Sequence, residues 1–343
     1  MVSPEAVIHS DGNSSSEIDD DVSYPNAEPV IDLNSVGDAW LILFKVHWIT
    51  FSICFSLLAL YNGYQLYKTF RLKSTTRKNY ISIVQVLVIL FGLTRTLSLS
   101  ISPYDIMSNT PKRVPYIVPR LLFALGYPCL FSGFTFMYKI FMLLSKVQVM
   151  KKNPIGSRVV TVILVLHFLA VISVEFLTRY VKDVEVLLVF CAFYYFFGCL
   201  TTALCLLISG RRVLKKERTI RKSLHKFDDS KAHHRVSPNG LTARKKILRI
   251  TLLTAVFGVL SALSYSYTIV LVIRSVNGDT FFLEPWTWLI VNNFLRIFEF
   301  CLAATMSYAV ASSYPRNARA AKALYNTKSS YASTISVRGE SSL

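Results

Sequence analysis

Apolar residues run along this chain in long blocks, and polar residues gather in the stretches between them. The blocks are too long and too continuous to show the period of a strand or of an amphipathic helix. Seven of them stand at approximately 40–66, 81–101, 115–145, 159–178, 184–209, 250–273 and 286–312. A helix of about 20 apolar residues crosses a hydrocarbon core about 30 Å thick. A backbone in lipid must satisfy its own N–H and C=O groups, so the helix is the reading of such blocks. The pattern predicts an all-α membrane protein, a seven-transmembrane helix bundle over 40–312. The third block is long enough to need tilt, or an extended start through Pro115 and Pro119. Trp40, Trp48, Trp286 and Trp288 fall near the ends that face one side, where amphipathic rings favour the interface.

The polar stretches divide by charge. The first 44 residues have no Lys or Arg and carry Glu5, Asp11, Glu17, Asp19, Asp20, Asp21, Glu28, Asp32 and Asp38. Basic residues collect in alternate connections. Lys68, Arg71, Lys73, Arg77 and Lys78 follow the first block, and Lys146, Lys151, Lys152 and Arg158 follow the third. A long basic stretch at about 210–249 follows the fifth. This distribution predicts the N-terminus outside and the C-terminus inside. It also accounts for the net charge of +18 by basic loops beside anionic lipid, which excludes nucleic acid as the partner. The acidic start lacks the basic and apolar regions of a cleavable signal, so the first helix is expected to act as the anchor. Residues 1–39 and 313–343, rich in Ser, Thr, Asp and Glu, have little to bury and are expected to be disordered. The centre of 210–249 is expected to be disordered too, with a turn at Ser237, Pro238, Asn239 and Gly240 and with its ends continuing the flanking helices.

Three surface features carry candidate chemistry. Asn13 opens the glycosylation sequon Asn13-Ser14-Ser15 on the expected outer side. Ser341 and Leu343 fit a PDZ-type cytoplasmic partner, whose sheet edge takes a strand ending in a hydroxyl and a terminal leucine. His233 and His234 have no further ligands at a sensible spacing, so no metal is expected there. All six cysteines lie inside the predicted helices, which offers packed thiols and no outer-surface disulfide.

Ionisable groups at membrane depth are costly and face the bundle interior. Lys45, His47 and Arg120 stand within about two turns of the outer ends and read as boundary residues that snorkel. Arg95 lies roughly 20 Å up helix two and Glu175 about 24 Å up helix four, at 1.5 Å per residue. That match favours Glu175 as the partner of Arg95, with Glu299 the alternative. Arg296 and Glu299 are three apart and share a face of helix seven, with Asn292 one turn above. His167 lies about 12 Å up helix four. These groups form either a charge network that fixes helix register or a ligand or ion site. Ser261, Ser264, Tyr265 and Thr268 on helix six, and Tyr194 and Tyr195 on helix five, read as interhelical packing. Gly126 with Pro128 predicts a kink in helix three.

Arg95-Thr96-Leu97 followed by Ser102-Pro103-Tyr104 resembles the arginine and proline-tyrosine pattern of the proline-rich transmembrane proteins, types three and four. The stretch from Arg120 to Met137 resembles their leucine-rich segment with a central glycine-aromatic-proline. That from Leu295 to Ala311 resembles their last helix. The resemblance covers about 40–312 and implies a seven-helix fold; the family has no established enzymatic activity or ligand to carry over. Long proline-rich segments are not seen: the N-terminal stretch has only Pro4, Pro25 and Pro29. The leading expectation is a multipass plasma-membrane protein of receptor-like or scaffolding type that is not an enzyme and uses no cofactor. The bilayer is its solvent, and the identity of any small-molecule ligand is not given by the sequence. A transporter or channel lined by Arg95, Glu175, Arg296 and Glu299 is the alternative.

Overall fold

The computed structural model describes residues 36–71, 76–101, 117–145, 157–181, 186–228, 238–276 and 284–312. They form seven helices and, among the described residues, no strand: α1 Asp38–Phe70, α2 Thr76–Ile101, α3 Ile117–Ser145, α4 Ser157–Tyr180, α5 Val186–Asp228, α6 Pro238–Val276 and α7 Pro285–Ser312. Each contains a stretch long and apolar enough to cross a bilayer. The acidic start, Asn13, Ser102 to Tyr104, His233, His234, Ser341 and Leu343 lie outside the described residues.

Most helices match their apolar blocks to within a few residues. Two run well beyond. The apolar span of α5 closes at Arg212, yet the helix continues to Asp228. That of α6 opens at Leu248, yet the helix begins at Pro238. The turn expected at 237–240 is therefore corrected at Pro238, Asn239 and Gly240, which form the first turn of α6. Proline suits that place because a helix's first N–H groups have no partner anyway.

Neighbouring helices pack into a bundle with α3 inside it. α3 lies against α2, α4, α5 and α7, while α1 closes the ring between α2 and α7. Accordingly α3 is the most enclosed span and α1 the least. The outward faces of α1, α4 and α5 carry large apolar side chains such as Leu60, Leu166 and Phe190. In a bilayer these meet lipid tails, so burial among the helices is not their driving force.

What holds the helices together is close packing and a few interhelical hydrogen bonds. Small residues let the backbones approach. A Cβ on Gly198 of α5 would stand 2.7 Å from Phe131 Cζ, and one on Gly258 of α6 would stand 2.7 Å from Phe134 Cζ. Both rings project from α3 into gaps that only glycine leaves. On α1, Ser52 and Ser56 meet Ser100 and Thr96 of α2 at 3.0 and 3.2 Å. Asn62 Nδ2 of α1 donates to Ser307 Oγ of α7 at 2.9 Å.

The tryptophans differ from an interfacial belt. Trp40 and Trp288 are almost fully buried against each other and Phe44, and Trp40 Nε1 donates to Pro285 O at 2.8 Å. Trp286 is exposed. The cysteines divide as well. Cys129 and Cys199 are buried, and Cys205 faces outward.

Candidate functional site

The buried face of α7 recurs at helical spacing through Trp288, Asn292, Arg296, Glu299 and Ala303. That of α2 does the same through Val84, Val88, Phe91, Arg95 and Leu99. The two stripes bring three charges together. Arg95 Nη2 reaches Glu299 Oε1 at 2.8 Å, and Arg296 Nη1 reaches Glu299 Oε2 at 2.9 Å. None of the three is more than 1% exposed. Two guanidiniums thus share one carboxylate in the apolar interior.

The third helix completes the setting. Arg95 Nη1 donates to Phe123 O at 3.0 Å, and its guanidinium lies 4.6 and 4.5 Å from the ring centres of Phe123 and Tyr127. Arg296 stands 5.1 Å from the Phe123 ring centre as well. Cations over aromatic faces gain about 0.5–2 kcal/mol, the upper end where water is excluded. Gly126 is the place of closest approach: a Cβ there would lie 2.9 Å from both Cζ and Nε of Arg95. Pro128 stands half a turn further on inside the same continuous helix. Its missing N–H releases a carbonyl of the preceding turn. The Gly126-Tyr127-Pro128 stretch thus serves as the notch that admits an arginine.

The expected pairing of Arg95 with Glu175 is corrected: Arg95 meets Glu299. By Cα rise alone Glu175 stands nearer the level of Arg95 than Glu299 does, but a helical side chain leans toward the N-terminus of its own helix. α2 and α7 run in opposite directions, so their side chains lean toward each other and close the gap in level. Glu175 instead pairs with Arg120 of α3, with Nε to Oε2 at 2.7 Å. Arg120 is turned inward at 10% exposure and is not a snorkelling boundary residue. His47 is corrected too. It is buried, and its Nδ1 meets Asn293 Oδ1 at 2.9 Å. Lys45 is exposed, as a boundary residue should be.

Two further candidates stand apart from the triad. Asn292 is buried on the same face, but its amide donates to Trp288 O of its own helix at 3.2 Å. His167 is buried with its ring 4.4 Å from that of Tyr194 and 5.7 Å from that of Phe131. Its Nδ1 has no hydrogen-bond partner.

Beside the triad lies a group that the sequence pattern reads only as packing. Tyr127 of α3, Tyr195 of α5 and Tyr265 of α6 form a closed ring cluster with centres 4.8–5.0 Å apart. Tyr265 lies within electrostatic reach of Arg95 and Glu299, and Tyr195 within that of Glu299. The Tyr195 hydroxyl faces Ser261 and the Cys199 thiol. Neither the Tyr195 nor the Ser261 oxygen makes a hydrogen bond of good geometry, and Arg95 Nε has no acceptor. The visible signal in the sequence was the spacing of Ser261 and Tyr265, one turn apart on α6. Among the described residues, no three His, Cys, Asp or Glu side chains group to hold a metal ion.

Seven apolar helices around a charged and hydroxyl-lined centre define a polytopic membrane protein with a polar interior. The family comparison is more specific. The model of the proline-rich transmembrane protein 3 domain matches residues 19–333, and the chain belongs to that family. No curated protein matches the chain.

Proposed function

We propose that this chain is a receptor-like protein of the plasma membrane, N-terminus outside, that carries a signal from its polar centre to the cytoplasmic side without catalysis. One observation carries the reading. The helices that supply Tyr195, Ser261 and Tyr265 are the two that continue past their membrane spans, to Asp228 on α5 and from Pro238 on α6. A helix packed on its neighbours moves as a unit, so a change of contacts at the centre displaces the projecting ends. Those ends are basic, with Arg211, Arg212 and Lys215 exposed on α5, and they suit an acidic partner. The transporter alternative has less support. Transport sites are commonly built from helices broken at the midplane, and each described span here is a continuous helix, α3 included.

The test is a distance measurement across the cytoplasmic end. Spin labels are placed at exposed Lys215 of α5 and exposed Lys68 of α1 through keto amino acids, which leaves the native cysteines intact. The pair Tyr195→Phe with Ser261→Ala is expected to shift the distance distribution relative to the unsubstituted chain. An unchanged distribution in a folded protein would sink the receptor-like reading.

A further inference from the structure

The polar centre holds donors without acceptors. Arg95 Nε is an N–H with no partner, on a side chain 1% exposed. Tyr195 and Ser261 each bring an O–H, at 2% and 1% exposure; the two hydroxyls face each other and the Cys199 thiol, yet neither makes a hydrogen bond of good geometry. A buried polar group left so costs about 1–3 kcal/mol, more when charged. Charge repeats the pattern. Arg95 and Arg296 share the one carboxylate of Glu299, and Glu175 is engaged by Arg120. The centre therefore carries a net positive charge in a region of low dielectric, where an uncompensated charge is at its most costly. Three donors run in sequence through it. Arg95 lies over the Tyr127 ring, Tyr127 packs on Tyr195, and Tyr195 faces Ser261. The Arg95 guanidinium fills the space opposite Gly126, where a Cβ would stand 2.9 Å from its Nε and Cζ.

One chemical class answers all of these features. Water offers an acceptor but no charge, and it adds donors that would themselves need partners. A cation is repelled. We propose that the bundle centre binds a small monovalent anion, a halide or the carboxylate of an organic ligand, held by Arg95, the Tyr195 hydroxyl and the Ser261 hydroxyl. The anion neutralises the excess guanidinium and accepts from donors that the protein leaves unpaired. Cys199, fully buried beside Tyr195, lines the same place. The inference rests on the polar centre that serves as the input site in the receptor-like reading. The two stand or fall separately: the anion can fail to bind while the α5–α1 distance still responds to the double substitution.

The experiment uses the full chain in zwitterionic nanodiscs at constant ionic strength. Thermal unfolding is followed in sodium chloride, in sodium acetate, and in sodium gluconate, whose anion is too bulky for a dry bundle interior. The expected result is a midpoint several degrees higher in chloride or acetate than in gluconate, saturating with concentration. Which of the two acts tells halide from carboxylate. The dependence should vanish in Tyr195→Phe with Ser261→Ala. Equal midpoints in all three salts, or a dependence kept by that variant, would overturn the proposal. A second measurement needs no variant. Chloride NMR lines should broaden with protein-loaded discs beyond empty ones, and acetate should reverse the broadening if both share the site. Lines equally narrow with loaded and empty discs would also overturn it.

Discussion

Glu299 is the residue on which the interior charges depend, because the guanidiniums of α2 and α7 both close on it. Removing one partner of a buried pair costs about 3–5 kcal/mol in soluble proteins. Hydrogen bonds between membrane helices average only about 0.6 kcal/mol. A pair of ions at 0–1% exposure, away from bulk solvent, belongs nearer the first figure. Unfolding free energies in detergent should therefore show a coupling of about 1–3 kcal/mol between Arg95→Gln and Glu299→Gln. The same cycle for Arg95 and Glu175 should be additive, while that for Arg120 and Glu175 should be coupled. Additivity of Arg95 with Glu299 would mean that the pair contributes nothing to the fold. The sequence made Arg95, Glu175, Arg296 and Glu299 stand out, because charge at membrane depth is rare. Spacing alone allowed the pair Arg296–Glu299, but it could not choose between Glu175 and Glu299 for Arg95. Depth along a helix says nothing of which helices touch, and α3 stands between α2 and α4. Nor could it separate Tyr195 and Ser261 from ordinary packing hydroxyls, since their lack of partners depends on the angles of side chains on two helices.

Between helices, α3 does what a hydrophobic core does in water, by shape. Phe131 and Phe134 enter gaps opposite Gly198 and Gly258, and Arg95 enters the gap at Gly126. Lipid tails are as apolar as these side chains, so the gain comes from contact. Gly258→Ala would press a methyl to 2.7 Å from Phe134 Cζ, a ring that is fully buried and has nowhere to turn. Overpacking of that kind costs about 1–3 kcal/mol. Phe134→Leu alone leaves a void. The two together should restore part of the loss, so the double variant is expected to unfold above the temperature that the two single losses, added, would give. Strict additivity in that cycle would show that α3 and α6 do not meet there. The existence and length of the spans were legible from the apolar blocks, because about 20 residues of low polarity admit no other structure in a bilayer. The helical runs beyond them, Arg212 to Asp228 and Pro238 to Leu248, were expected as continuations of the flanking helices, but their extent was not legible. Hydropathy ends where the membrane ends, and a charged helix in water leaves no apolar mark.

For the molecule as a whole, the remaining question of geometry is which way it faces. The helical count is odd among the described residues, so the two ends of the chain must lie on opposite sides if every span crosses. We propose that charge sets which side is which. Acidic residues from Glu5 to Asp38 precede the first span with no Lys or Arg among them. Basic residues follow the first, third, fifth and seventh, among them Lys68, Lys151, Arg211 and Arg316. Each Lys or Arg near the anionic inner leaflet gains about 1 kcal/mol. Four clusters together outweigh any single opposing preference. Turning the bundle over would move all of them across at once. An epitope tag at the N-terminus of the chain should therefore bind antibody on intact cells, and one at the C-terminus only after permeabilisation. The decisive variant tests charge as the cause. Replacing Lys68, Arg71, Lys73, Arg77 and Lys78 by Gln removes the cluster after α1 but leaves the other three. If summed charge sets the orientation, that variant keeps it. If the first cluster alone decides, it produces a mixed population with both tags exposed on different molecules. C-terminal exposure in the unsubstituted chain would reverse the assignment of α5 and α6 as the cytoplasmic projection, and with it the side on which a partner for Arg211, Arg212 and Lys215 must be sought.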